Sequence, residues 1–382
     1  MSLWLGQTLV KYLCYLIGLL FSLFIAGSSN QLSSISFWHV LHAQANPLQS
    51  YWQFPRYFSN NIAHLPELTL GFLARKNIPS AQYNYSLKLI NASKNEQAKL
   101  FWLQSIEHVG HNKRQQLAHA LLKQGRWNDL QLLLTQNLLP KGAAFNHLAL
   151  HKGSDYEQVL PSFLHQLGFA ALNTRPPINN SCSYNVLLLG VNREALFKLS
   201  SFAAQYNKKP EPQSGAYCLS KPVYAGGAID CANTSGMANC LWQNAHLKAQ
   251  STNGYDYTVI MGTSGSANVT GKKMQLSTQA NYNVFLHELM HFSGFEDEYT
   301  LPISKQRWLC KRQGYVAPNL YISQGEAAPN GWHKSLSCQQ GGVAYKPAKQ
   351  WSIMQYQQLG LSKRYRALWV DQINAAKTAQ LD

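Results

Sequence analysis

The sequence predicts a mixed α/β (α+β) domain over residues 173–382, preceded by an α-helical domain over 60–172. Two patterns carry this. In "LAHALLKQGRWNDLQLLLTQ", Leu117, Leu121, Leu122, Leu130, Leu133 and Leu134 recur at helical spacing on either side of a "QGRWND" turn. Beyond Asn173 the period changes, and short apolar runs of strand length alternate with amphipathic helix.

The elements follow in order. "YLCYLIGLLFSLFIAG", Tyr12–Gly27, is apolar and uncharged; Lys11 precedes it and no further charge occurs before Arg56. A membrane span needs about 20 apolar residues and a signal-peptide core about 7–15, and this segment lies between. Residues 1–28 are therefore expected to be a signal peptide or a membrane anchor with its start in the cytoplasm, exporting the chain either way. A polar linker over 29–59 leads to the helical domain, in which "AKLFWLQSIEHV" also has helical spacing. A helix pair about a glycine-containing turn looks a little like a tetratricopeptide unit, without a second copy at that period. Its plain reading is a helical layer that packs on something or binds a protein partner. "NTRPPINNS", Asn173–Ser181, reads as a linker. "YNVLLLGV" and "YDYTVIMG" are then expected strands, "REALFKLSSFAAQ" a helix, "GGAIDCANTSGMANC" a disulfide-stapled loop, and "KKMQLST" an edge strand that lines a cleft.

Composition narrows the class. Hydrophobic residues make up 46% of the chain, as in a folded protein. The net charge of +16 is spread evenly: residues 1–150 hold 12 basic and 4 acidic side chains, and the remainder 21 and 13. No run of five like charges and no glycine-rich phosphate loop after a strand occurs, so a diffuse field near anionic lipid or polysaccharide fits better than a specific nucleic-acid groove. Cys14 lies in the apolar segment, and the other six cysteines fall between 182 and 338. An even number in an exported region implies up to three disulfides, with 15 pairings available; proximity favours Cys231–Cys240 and Cys310–Cys338. No C-x-x-C pair supports a structural zinc site.

The chemistry concentrates in "HELMHFSGFEDEYT", residues 287–300, which gathers four of the chain's 17 carboxylates beside two histidines. His287 and His291 are four apart, so a helix projects both from one face, where two imidazoles converge on one metal ion. Glu288 lies about 100° round the axis, placed to reach a water on the metal rather than the metal itself. Gly294 can end the helix and reverse the chain, returning Asp297 as a third ligand. Two histidines, an aspartate and an open fourth position constitute a catalytic rather than a structural zinc site. A chance H-E-x-x-H in a chain of this composition occurs on the order of once in a hundred, so the independent downstream "SIMQY", Ser352–Tyr356, carries weight.

Together, H-E-x-x-H-x-x-G-x-x-D and S-I-M-x-Y resemble the metzincin clan of zinc endopeptidases. The aspartate, with a tyrosine two residues on, resembles the snapalysin-type branch; the S-I-M-x-Y turn is similar to that of astacins and serralysins. The resemblance implies a metzincin-like fold over about 180–370, His287, His291 and Asp297 as ligands of one Zn2+ ion, and Glu288 as the general base. It also implies Met354 in a Met-turn beneath the metal, and Tyr356 as a hydrogen-bond donor to the transition-state oxyanion. Glu296 and Glu298 flank Asp297 and rival it as ligand, and His333 is a lesser rival. Cys218 is among the cysteines that could block the metal. The expected function is an exported zinc metalloendopeptidase, membrane-anchored or secreted, acting on protein or peptide. The alternatives are a zinc amidase acting on peptidoglycan or another envelope polymer, and an inactive scaffold that binds partners through its helical domain.

Overall fold

The structure, a computed structural model, describes residues 45–174 and 176–378. The expected signal or anchor segment, 1–28, lies outside them. Among the described residues no helix is long and apolar enough to cross a membrane. The chain divides into two compact units, Met1–Phe145 and Asn146–Asp382.

The first unit is helical: α1 (Pro47–Gln53), α2 (Pro55–Asn61), α3 (Glu67–Arg75), α4 (Pro79–Asn91), α5 (Asn95–Ser105), α6 (His111–Lys123) and α7 (Trp127–Thr135). The first two lie mainly in what reads as linker, and each opens on a proline, whose fixed φ suits a first helical turn. Four of the others end alike. Asn77, Ser93, Gly125 and Asn137 adopt φ of 57–64°. The next residue in each case donates to the carbonyl five back: Ile78 to Leu73, Lys94 to Leu89, Arg126 to Leu121 and Leu138 to Leu133. This reversal satisfies the last carbonyls and turns the chain within three residues.

α8 (Ala143–Lys152) spans the division at Asn146, and in the second unit α9 (Pro161–Gln166) leads into a seven-stranded sheet. Its order is β1 (Ala170–Ala171), β4 (Val223–Tyr224), β2 (Tyr184–Gly190), β7 (Tyr257–Gly262), β9 (Lys273–Ser277) and β8 (Asn268–Thr270). β3 (Tyr217–Leu219) pairs with the first half of β2 and β4 with its end; Pro222, which has no N–H to donate, lies between them. Every pairing is parallel except β8 with β9. Because β1 belongs to this sheet, the second unit begins ahead of the Asn173–Ser181 linker.

Both sheet faces are covered, which is why β2 reads as a continuous apolar run. Val186 and Leu188 point into one core and Leu187 and Leu189 into the other; Val259 and Met261 alternate with Ile260 in the same way. The first core is closed by α10 (Arg193–Lys208), α12 (Tyr282–His291) and α14 (Lys363–Thr378), through residues such as Leu199, Phe285, Leu289 and Trp369. α11 (Ala245–Thr252) and α13 (Ile303–Leu309) are the remaining α-helices among the described residues.

Two expectations are corrected. "KKMQLST" is not the sheet edge: β9 is paired on both sides, and the edge strand is β8, formed when Gly271, at φ 58°, lets the chain double back. The segment expected as a loop between Gly226 and Cys240 contains most of a hairpin, β5 (Ile229–Thr234) with β6 (Met237–Trp242). Ser235 and Gly236 both take positive φ, the geometry of a two-residue hairpin turn.

A smaller antiparallel sheet, β10 (Gly314–Ala317), β11 (Leu320–Ser323), β13 (Val343–Lys346) and β12 (His333–Lys334), follows in that order. Its core of Leu301, Leu309, Leu320, Ile322 and Ala344 packs with Cys338. Three disulfides pair Cys182–Cys218, Cys231–Cys240 and Cys310–Cys338, a usage characteristic of an oxidising compartment. The Cys310–Cys338 bridge closes a separation of 28 residues. Replacing both by serine is expected to lower the unfolding free energy by about 3–4 kcal/mol. Chemical denaturation under non-reducing conditions checks this, and an unchanged midpoint would contradict it.

Candidate metal centre

The site is built on α12. Asn281 caps it, its side chain accepting from the Val284 N–H at 3.0 Å. Phe285, Leu286, Leu289 and Met290 bury one face in the core, so His287, Glu288 and His291 share the other. The helix ends through Gly294, at φ 77°: its N–H bonds to the His291 carbonyl at 3.0 Å, and the Phe295 N–H to the Met290 carbonyl at 3.3 Å. An L-residue at that φ costs about 1–2 kcal/mol, so glycine suits the reversal. Tyr217 and Trp369 both reach Ser293 Oγ, at 2.6 and 2.8 Å, and Tyr257 donates to the Phe292 carbonyl at 3.0 Å. The end of α12 is therefore anchored to the sheet and to α14.

This reversal sets the imidazoles. His291 Nδ1 donates to the Phe295 carbonyl at 2.8 Å, and His287 Nδ1 to the Ile353 carbonyl at 2.9 Å. A carbonyl only accepts, so each Nδ1 carries a proton and, in the neutral ring, each Nε2 presents a lone pair. The two Nε2 atoms face one another at 3.2 Å. Asp297 Oδ1 lies 3.3 Å from each and is buried without a hydrogen bond. Ligands 2.0–2.1 Å from a tetrahedral zinc ion are about 3.3–3.4 Å apart. The triangle of His287, His291 and Asp297 has that edge, so these residues fit a zinc ion. Glu288 is grouped with the two histidines by proximity, but its Oε1 is 4.0 Å from His287 Nε2, too long for an edge of the same tetrahedron. It lies beside the triangle rather than within it.

The rivals for the third position are engaged elsewhere. Glu296 Oε1 accepts from Lys305 Nζ at 2.6 Å. Glu298 is completely buried and accepts from Asn319, Tyr365 and Ser352. His333 is exposed on β12, and Cys218 is bonded to Cys182. Ser352–Tyr356 forms a turn, with the Gln355 and Tyr356 N–H groups both bonded to the Ser352 carbonyl. Its Ile353 and Met354 are buried in the core that carries α12. Met354 thus packs in that core, and its carbonyl accepts from the Glu298 N–H at 2.9 Å. Tyr356 is 41% exposed, with its ring 4.5 Å from that of Trp351.

Tyr299 is the residue that sequence reasoning left without a role. Tyr299 is 39% exposed, yet the partial burial of its phenol, then the nearby Asp297, Glu288 and Glu296 carboxylates, push it well above the usual range, so it keeps its proton. The signal was the tyrosine two after the aspartate. Gln357 also joins the site, donating to Glu288 Oε1 at 3.4 Å and lining a cavity of about 300 Å³ with Val284, Ser277, Gly265 and the β5–β6 turn. A larger cavity, about 910 Å³, surrounds Cys182–Cys218 and is lined by no histidine or carboxylate.

In the metal-free protein burial pushes the Glu288 carboxyl up, with Asp297 adding to the effect and the two histidines opposing it. Burial also disfavours a charged His291, but the adjoining Asp297 and Glu288 outweigh it and lift the imidazole to about 9. Burial likewise works against charged Asp297, and the two imidazoles outweigh that, holding its carboxyl far below the ordinary range. His291 therefore titrates above its ordinary 6.5. Its charged form stabilises the metal-free fold fully below that value, and the contribution is lost as the pH rises through about 9.

No protein-family model matches the chain, and no curated protein matches it significantly.

A metal ligand must be unprotonated. Zinc binding near pH 7.5 is accordingly expected to release about one proton, chiefly from His291. Calorimetry in buffers of different ionisation enthalpy measures the number, and release of none would contradict the paired imidazole and carboxylate.

Proposed function

We propose that this protein is an exported zinc metallopeptidase with a metzincin-like catalytic unit. The observation that carries the reading is the triangle of His287 Nε2, His291 Nε2 and Asp297 Oδ1, with edges of 3.2–3.3 Å, with Glu288 beside it. The mixed sheet with one antiparallel edge strand, the reversal at Gly294 and the buried Ile353–Met354 turn under the helix support the clan resemblance. Three disulfides support export.

His287, His291 and Asp297 would hold the ion. When bound, zinc supplies Lewis acidity, polarising a scissile carbonyl and lowering the pKa of a water towards about 7. Glu288, beside the triangle, would take the proton of the attacking water and deliver it to the leaving amine nitrogen. Gln357 restrains the Glu288 carboxylate through its hydrogen bond. Tyr356 is the assigned donor to the developing oxyanion, and the protonated Tyr299 beside Asp297 is a second phenol able to serve; losing such a donor typically costs about 2.7–4 kcal/mol.

The test is zinc content and cleavage of a generic unfolded protein. The unsubstituted protein is expected to hold one zinc per chain and to cleave. Glu288→Ala should keep the metal and lose about 10²–10⁴-fold in rate, whereas His287→Ala should lose both. Undiminished cleavage by Glu288→Ala would exclude the assigned base, and amide release from peptidoglycan alone would favour the envelope-polymer substrate.

A further inference from the structure

The backbone on either side of Asp297 is held by a set of buried hydrogen bonds, many of them made by its neighbour Glu298. Glu298 is completely buried. Its Oε1 accepts from Asn319 Nδ2 at 2.8 Å and from the Tyr365 hydroxyl of α14. Its Oε2 accepts from the Ser352 hydroxyl, at the start of the turn beneath α12, with Lys346 Nζ at 3.6 Å. Its own N–H bonds to the Met354 carbonyl of that turn at 2.9 Å, and its carbonyl accepts from Ser335 Oγ at 3.1 Å. Asn319, also completely buried, brackets the segment: Oδ1 accepts from the Glu296 N–H at 2.9 Å, and Nδ2 donates to the Glu296 carbonyl at 2.7 Å as well as to Glu298. Ser337 Oγ donates to the Asp297 carbonyl at 2.9 Å.

These contacts come from β12–β13 and its approaches, the β10–β11 turn, the Ser352–Tyr356 turn and α14, and they converge on three consecutive residues. The same turn supplies the Ile353 carbonyl that orients His287. Resting on the metal reading above, we infer that Glu298 is a positioning residue: it locks the third ligand, Asp297, and the turn that orients the first, His287, into one rigid frame. The physical need is clear. A zinc ion needs all three atoms unprotonated and 3.2–3.3 Å apart, the spacing they have here. On an unbraced chain the aspartate would sample other positions, and metal binding would then bear the cost of ordering it. Glu298 cannot be a ligand in this arrangement, because both its oxygens are already taken by four partners.

The test measures metal affinity rather than turnover, by competition with a chromophoric zinc chelator and by the d–d absorption of the cobalt-loaded full chain. Glu298→Gln should raise the zinc Kd by about 10–100-fold, as second-shell changes do, and alter the cobalt spectrum. Asn319→Ala removes three hydrogen bonds to the segment and should weaken binding comparably, and Tyr365→Phe removes one and should weaken it less; they answer the question if Glu298→Gln fails to fold. Ile322→Ala, which truncates the small-sheet core without touching Glu298, controls for loss of stability and should leave both readouts unchanged. Affinity and spectrum in the Glu298 and Asn319 variants equal to those of the unsubstituted protein would overturn the inference. Affinity losses equal to that of Ile322→Ala would do the same. If the unsubstituted protein itself bound neither zinc nor cobalt, the metal reading would fall first and this inference with it.

Discussion

Three hydrogen-bond acceptors aimed at one point constrain this protein more than any other feature. With each Nδ1 donating to a backbone carbonyl, His287 and His291 have only lone pairs left to offer one another, and Asp297 adds a carboxylate oxygen. In a largely buried setting such a group is stable only with positive charge in its midst. A proton on His291 serves in the metal-free state, which accounts for the raised proton affinity of that ring. A dication between the three serves better, because all three can face it at once. Asp297 thus has an electrostatic reason in an otherwise basic chain, whereas Glu296 and Glu298 are held by Lys305 and by Asn319, Tyr365 and Ser352.

The rest of the second unit can be understood as what holds those atoms still. The two-faced sheet gives α12 a hydrophobic seat, and the aromatic residues Tyr217, Tyr257 and Trp369 fasten its last turn. Gly294 redirects the chain so that a single reversal both supplies the Phe295 carbonyl to His291 and returns Asp297. The Ser352–Tyr356 turn contributes through its main chain, with one carbonyl for His287 and one for Glu298. The small sheet, closed by Cys310–Cys338, contributes Asn319.

Much of this was legible in the sequence, and for identifiable reasons. The helix spacing of His287 and His291 is a geometric statement in itself, and a glycine seven positions on is a strong signal of helix reversal. Strands buried on both faces announce themselves as apolar runs. The failures have causes of the same kind. The β5–β6 hairpin contains Asp230, Asn233, Thr234 and Asn239 and is largely exposed, so no apolar pattern marked it; the Ser235–Gly236 dipeptide was the available cue. The edge strand β8 is only three residues long, too short for any period, so its longer neighbour took its place. Spacing after Gly294 favours Asp297 among the three adjacent carboxylates, but it does not show what occupies the other two. Glu296 lies against Lys305 and Glu298 against Asn319, contacts that no local pattern in the sequence marks.

The most direct measurement is zinc-edge X-ray absorption or anomalous diffraction on the zinc-loaded full chain. The account predicts one ion per chain with two imidazole nitrogens and one carboxylate oxygen at about 2.0–2.2 Å, assigned to His287, His291 and Asp297. An ion held by Glu296 or Glu298, or a metal signal away from α12, would contradict it.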